Sequence, residues 1–183
     1  MIPPLRTERL LLREWRESDI APFAAMNADP KVMEFFPALR TANETRGLVD
    51  RLTASFAADR MGFWALELPG EAPFIGFTGI MRVGFAAPFT PAVEIGWRLA
   101  PRFWGMGLAT EAARAALADG FGRCGLREIV SFAVPGNARS RAVMERIGMV
   151  HDADGDFDHP SIALDHRFCR HVLYRISAPG KEG

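Results

Sequence analysis

Arg102-Phe103-Trp104-Gly105-Met106-Gly107-Leu108-Ala109-Thr110-Glu111 is the stretch whose reading decides the fold. A basic residue and two glycines lead straight into a helix-forming run, for Leu108 to Asp119 holds six alanines and neither proline nor glycine. Upstream, Val93, Ile95, Trp97 and Leu99 alternate with Glu94, Gly96 and Arg98, so Ala92 to Leu99 reads as a strand stopped by Pro101. The unit is strand, glycine-bearing turn, helix. A helix start leaves backbone N–H groups without partners and carries the positive end of the helix dipole. Glycines let an anion approach that backbone, and Arg102 adds a fixed positive charge, so the turn suits phosphate. A P-loop is excluded, because Gly-x4-Gly-Lys-Ser/Thr is absent. A dinucleotide turn lacks its third glycine, where Thr110 stands, and repeated strand-helix-strand units are missing. A plain tight turn stays open on this stretch alone.

Context narrows the choice. Arg-x-x-Gly-x-Gly-Leu-Ala-Thr-Glu-Ala after a Glu-x-Gly-Trp strand resembles the acyl-CoA-binding motif of the GNAT superfamily of N-acetyltransferases. Val134 to Met149, with Asn137 and Ser140 opening a helix, is similar to the Asn-x-x-Ser segment of the branch holding ribosomal-protein N-terminal acetyltransferases. Asp156 to Pro160 and His171 to Arg175 look like that branch too, and the resemblance runs from about Leu5 to Ser177. It implies one domain over residues 1–183, mixed α/β (α+β). About seven strands form a mostly antiparallel sheet with a central V-shaped splay, flanked by about four helices. It also implies acetyl-CoA as cosubstrate, with the pantetheine arm in the splay between Ala92–Leu99 and Glu128–Val134. Ile95, Trp97, Leu99, Arg102, Gly105, Met106, Gly107, Leu108, Ala109, Asn137, Arg139 and Arg141 are then the binding residues. Backbone N–H groups near Ile95 to Trp97 would support an oxyanion.

Size and charge agree with such an enzyme. The 183 residues suffice for one substantial core. Lys+Arg and Asp+Glu both number 22, so no bulk charge points to nucleic acid or a membrane surface. Met1-Ile2-Pro3-Pro4-Leu5 lacks the charged and apolar regions of a secretory signal, and no apolar run is long enough to span a membrane. Cys124 and Cys169 are too few for a disulfide framework, so a cytoplasmic protein is expected. Monomer and homodimer both stay open.

Along the chain, Arg9 to Trp15 reads as a first strand, and Ser18-Asp19 as the cap of a helix over Ile20–Asn27. Lys31 to Phe36 adds a turn of helix. Thr41 with Glu44 forms a capping box for a helix to about Ala58, its core stripe Leu48, Leu52, Ser55 and Phe56. Strands follow at Phe63–Leu68 and Phe74–Phe85. Gly120, Gly122 and Gly125 mark the fraying end of the alanine-rich helix. Glu128–Val134 is a strand, Ala138–Ile147 a helix ended by Gly148, and Met149–Phe157 and His171–Ile176 are the last strands. Ala178 to Gly183 is expected to be loose.

The chemistry narrows the remaining roles. An α-amine with a pKa near 8 is about a tenth neutral at pH 7, whereas neutralising a lysine amine costs about 4.6 kcal/mol. A terminal-amine enzyme therefore needs only a modest base. Glu94 is the candidate, against a strand-edge salt bridge as the plain alternative. Asn137 and Ser140 read either as a helix cap with its first turn or as groups holding the thioester region and protonating the departing thiolate. Many relatives use a tyrosine as that acid, but the sole tyrosine, Tyr174, reads as a core residue. Arg139 and Arg141 can reach coenzyme A phosphates, and Trp104 either covers the cofactor or packs beneath the helix. Asp152, Asp154, Asp156 and Asp158 fail the EF-hand spacing and read as a solvated strand end. His151, His159, His166 and His171 match no metal-ligand spacing, so no metal is expected. Trp15, Trp64, Phe85 and Phe89 read as core, with Phe35 and Phe36 at the acceptor wall. The expected reaction is direct acetyl transfer in a ternary complex to a protein N-terminal α-amine or a small amine. A non-catalytic acyl-CoA-binding module is the rival.

Overall fold

In the computed structural model, residues 2–180 are described. Residues 181–183, the end of the expected loose tail, lie outside them. The elements run β1 (Leu5–Arg6), β2 (Leu11–Arg13), α1 (Glu17–Asn27), α2 (Ala42–Asp59), β3 (Phe63–Leu68), β4 (Ala72–Arg82) and β5 (Val93–Leu99). There follow α3 (Leu108–Gly122), β6 (Glu128–Ala133), α4 (Ala138–Arg146), β7 (Val150–His151), β8 (Phe157–Asp158) and β9 (Arg170–Ser177). The sheet order is β1-β2-β3-β4-β5-β6-β9-β7, with β8 on β9. Of its pairings β5–β6 is parallel and the others are antiparallel. The mixed, mostly antiparallel sheet and four helices match expectation; nine strands replace about seven because two expected strands break.

The first break lies at the start. Thr7 turns the chain, its N–H donating to the Leu10 carbonyl, so a short hairpin replaces a strand over Arg9–Trp15. The second lies in the acidic stretch. Asp156 accepts from the Leu173 N–H at 2.9 Å and Asp152 from Arg175 Nε at 2.6 Å. These two carboxylates therefore pin β9 instead of facing water, and the chain bends through a 3-10 turn at Ala153–Gly155 between β7 and β8.

Helix α1 begins three residues before the expected Ile20, because Asp19 acts from inside the first turn. Its carboxylate takes the Arg16 N–H at 2.7 Å and both terminal nitrogens of Arg13 at 2.8 and 2.9 Å. Both partners are buried, and Arg13 Nε also donates to Glu67, tying β2, β3 and α1 together. The capping box of α2 forms as expected, Thr41 accepting from the Glu44 N–H and Glu44 from the Thr41 N–H. Its buried stripe is Thr45, Val49, Leu52 and Phe56, displaced from the expected one because Thr45 turns inward to Asn27. Lys31 to Phe36 forms turns, not helix.

Helix α3 runs on through Gly120 and Gly122. Gly120 is a packing position: a Cβ there would sit 2.9 Å from the methyls of Ile80 and Ile129. Helix α3 packs on β4 and β5, burying Ala113, Ala116 and Leu117 against Ile80, Ile95 and Ile129. Helix α1 lies with α2 and β4, where Phe23 and Val49 meet Phe74 and Phe77. Among the described residues no helix is long and apolar enough to cross a membrane.

Candidate active site

After β5 the chain makes a 3-10 turn, Pro101–Phe103, and enters α3 through two left-handed glycines, Gly105 at φ 74° and Gly107 at φ 77°. Side-chain-bearing residues rarely adopt that conformation, so the glycines set the turn. Gly107 is the N-cap and supplies no side chain, while its carbonyl accepts from the Glu111 N–H. The N–H groups of the first helical turn are thus left for an outside acceptor. Gly105, Gly107, Leu108 and Ala109 line a cleft of about 700 Å³. Arg102 is exposed with its guanidinium over Phe103, and Met106 is exposed with its carbonyl held by Arg9. Neither lines the cleft.

Strand alternation opens the other wall. Val83 N–H donates to Ala92 and Ala100 N–H to Ile75, so the even-numbered peptides of β5 face β4 and the odd ones face β6. Yet β5 and β6 share only one register pair, Glu94 with Val130. The next contact is a side chain: Ser131 Oγ donates to the Ile95 carbonyl at 2.9 Å. The strands then part. The Leu99 carbonyl is taken by Trp104 Nε1 at 2.7 Å, which leaves the Trp97 peptide and the Leu99 N–H as an open edge leading to the glycine turn. Trp97 and Leu99 line the cleft, whereas Ile95 is buried in the core under α3 and does not line it. Trp104 both packs and lines, its ring under Arg139.

Asn137 caps α4, its Oδ1 accepting from the Ser140 N–H at 3.1 Å, and both residues line the cleft. Capping and facing the cleft coincide because α4 starts where β6 ends at the splay. Arg139 also lines it but is occupied, stacked on Trp104 and ion-paired to Glu34. Arg141 points elsewhere: its Nε donates to the Tyr174 hydroxyl and its Nη1 to the Pro135 carbonyl. Tyr174 is a core residue as expected, its hydroxyl donating to Glu145.

Glu94 shares a face of β5 with Gly96 and Arg98, between Met81 of β4 and Val130 of β6. The expected alternative of a salt bridge fails: among the described residues Glu94 makes no ion pair and no side-chain hydrogen bond. Burial without a counter-charge pushes its carboxyl up to about 7. Val130 leads into an aromatic cluster of Phe85, Phe89, Phe132 and Phe157, with His159 and His171 against it. Among the described residues no group of three or more potential metal ligands occurs.

The family model for the acetyltransferase (GNAT) domain matches residues 9–150, which takes in β5, the glycine turn and α4. This chain belongs to the GNAT acetyltransferases. Curated relatives include "Uncharacterized protein YkkB" of Bacillus subtilis, 34% identical over 79% of this chain and 84% of its own length. Another is the "FsC-acetyl coenzyme A-N(2)-transacetylase" of Aspergillus fumigatus, 30% identical over 94% of this chain and 77% of its own. A solved GNAT acetyltransferase from Bacillus anthracis superposes with a TM-score of 0.78 at 27% identity, covering 96% of this chain and 99% of that one. RimJ of Mycobacterium smegmatis, solved with CoA-disulfide, shares the fold at a TM-score of 0.74 and 24% identity, covering 96% and 86%.

One residue lining the cleft was not a candidate in the sequence. Arg98 lines the cleft, its guanidinium 4.3 Å from the ring of Phe36 and its Nη1 2.6 Å from Asn27 Oδ1. In the sequence it is only the polar member of an alternating strand; its partners come from α1 and the segment after it.

Proposed function

We propose that this GNAT protein transfers the acetyl group of acetyl-CoA directly to a primary amine, preferentially an α-amine of the kind found at protein N-termini. The observation carrying the reading is one cleft with two sets of open backbone groups, the β5 edge at Trp97–Leu99 and the uncapped first turn of α3, and an unpaired carboxyl farther along β5. An anion-rich cosubstrate with an amide-bearing arm fits those two sets: the diphosphate at Gly105–Ala109, the arm along Trp97 and Leu99. Bound there, acetyl-CoA supplies an activated acyl carbonyl and a thiolate leaving group.

Glu94 takes the proton from the incoming amine. Its carboxyl near 7 lies close to an α-amine near 8, so proton transfer at neutral pH costs little, about 1–2 kcal/mol. The Trp97 N–H stabilises negative charge on the acetyl oxygen. Ser140, oriented by the Asn137 cap, donates to the departing sulfur. Arg139, stacked on Trp104 and paired with Glu34, ties the start of α4 to the segment after α1 at the cleft.

The test is a thiol-release assay with acetyl-CoA and a panel of peptide α-amines, lysine ε-amines and small amines, paired with calorimetry of coenzyme A binding. Turnover with α-amines above that with ε-amines supports the proposal. Binding without turnover on any amine would leave a non-catalytic acyl-CoA module.

A further inference from the structure

Arg98 is a cation without a counter-ion in the wall of the cleft. Among the described residues no carboxylate lies within ion-pair distance of it, whereas the buried Arg13 is paired with Asp19 and the half-buried Arg175 with Asp152. Its sole side-chain hydrogen bond among those residues goes to Asn27 Oδ1. That amide is fully buried and its Nδ2 donates to the buried Thr45 Oγ1 at 3.0 Å, so its oxygen is held toward Arg98. Phe36 and Phe77 flank the guanidinium at 4.3 and 5.4 Å. The group is positioned by two helices and two rings, yet no described residue neutralises it.

A second guanidinium compounds the excess. Arg40 donates its backbone N–H to the Asn27 carbonyl, and its Nε is buried without a partner. Burial, and then the charge of Arg40, lower Arg98 to about 10, so it still carries its proton at neutral pH. Two neighbouring half-buried cations with no anion among the described residues are costly, and a bound anion relieves that cost. Coenzyme A's diphosphate is already provided for at the start of α3. Arg98 instead projects from the Glu94 face of β5, two residues beyond Gly96, and lines the cleft next to Trp97, whose N–H holds the acetyl oxygen in the reaction proposed above.

We propose that Arg98, with Arg40 behind it, is the acceptor's anion site: the amine acetylated carries a carboxylate within a few bonds of its nitrogen. The inference rests on the acetyl-transfer reading and narrows it. The carboxylate comes either from a free amino acid or from an acidic side chain at the start of a peptide. A guanidinium fork accepts either one in bidentate fashion.

Initial rates at saturating acetyl-CoA test this with matched pairs: glycine against glycinamide, and the amidated tripeptides Asp-Ala-Ala and Ala-Asp-Ala against their asparagine counterparts. Wild-type protein should favour the acid member of at least one pair by tenfold or more in kcat/KM, and the favoured pair names the source. Arg98→Met, which keeps an apolar stem between the rings, should abolish that preference through KM for the acid. Arg98→Lys should restore part of it, and Asn27→Asp, which offers a carboxylate from within the protein, should suppress it. Equal rates for acid and neutral members in the wild type overturn the proposal. So does an Arg98→Met variant that weakens coenzyme A binding in calorimetry and slows all acceptors alike, because the anion is then the cofactor's. No turnover with any amine overturns the acetyl-transfer reading instead. The anion site is then judged by calorimetry of the acids on wild type and Arg98→Met, and absence of binding overturns it.

Discussion

Glu94→Gln separates stability from activity in one residue. In the folded chain the carboxyl titrates at about 7, against an ordinary value of 4.5, because burial disfavours its charge. Between those two values the unfolded chain has released the proton and the folded chain still holds it. Stability therefore falls as pH rises through that window, and is lowest above about 7. A gap of that size is worth about 3 kcal/mol, a large share of the stability of a small domain. Glutamine stays neutral throughout and avoids the loss. Urea unfolding at pH 5 and pH 8, followed by circular dichroism, should show wild type losing about 2.5 kcal/mol more than Glu94→Gln between the two conditions, part of the loss having already occurred at pH 5. All other titrating groups are shared, so their contributions cancel in the comparison. Over the same range the wild-type kcat/KM should rise to a plateau above about 7, and the variant should lose that inflection together with most of its rate. Parallel stability curves in the two proteins would refute the account of a buried, unpaired carboxyl. An unchanged pH–rate profile would remove Glu94 from the mechanism.

Other substitutions probe the cradle and the frame. Gly107→Val, forced into φ 77°, should cost about 1–2 kcal/mol and weaken coenzyme A binding in calorimetry by tenfold or more. Ser140→Ala should lower kcat more than it raises the KM for acetyl-CoA; the opposite pattern would make Ser140 a binding residue only. Asp19→Asn leaves buried Arg13 with a weakened partner and should cost about 3 kcal/mol in urea unfolding.

Much of the frame was legible because its signals are local. The β3 strand at Phe63–Leu68, the Thr41 capping box and the Asn137 cap all sit where residue type and spacing place them. The misreadings share one cause, a polar side chain whose partner is distant in sequence. Asp19 starts α1 early because it serves Arg13; Thr45 turns the α2 stripe because it serves Asn27. Asp152 and Asp156 divide an expected strand because β9 claims them. Arg141, a candidate for phosphate from its place after the cap, is drawn off by Tyr174 of β9.

Sequence by itself determined the turn chemistry, for two glycines before an alanine-rich helix can be read without knowing what lies near them. It also determined which residues offer acid, base and donor groups, and which family they resemble. Only the tertiary structure decided their states. Whether a carboxylate is paired or a guanidinium neutralised depends on side chains brought in from other elements, and periodicity along one strand carries no record of them. Glu94 and Arg98 occupy equivalent places in the alternation of β5; among the described residues the fold brings no cation to the one and no anion to the other.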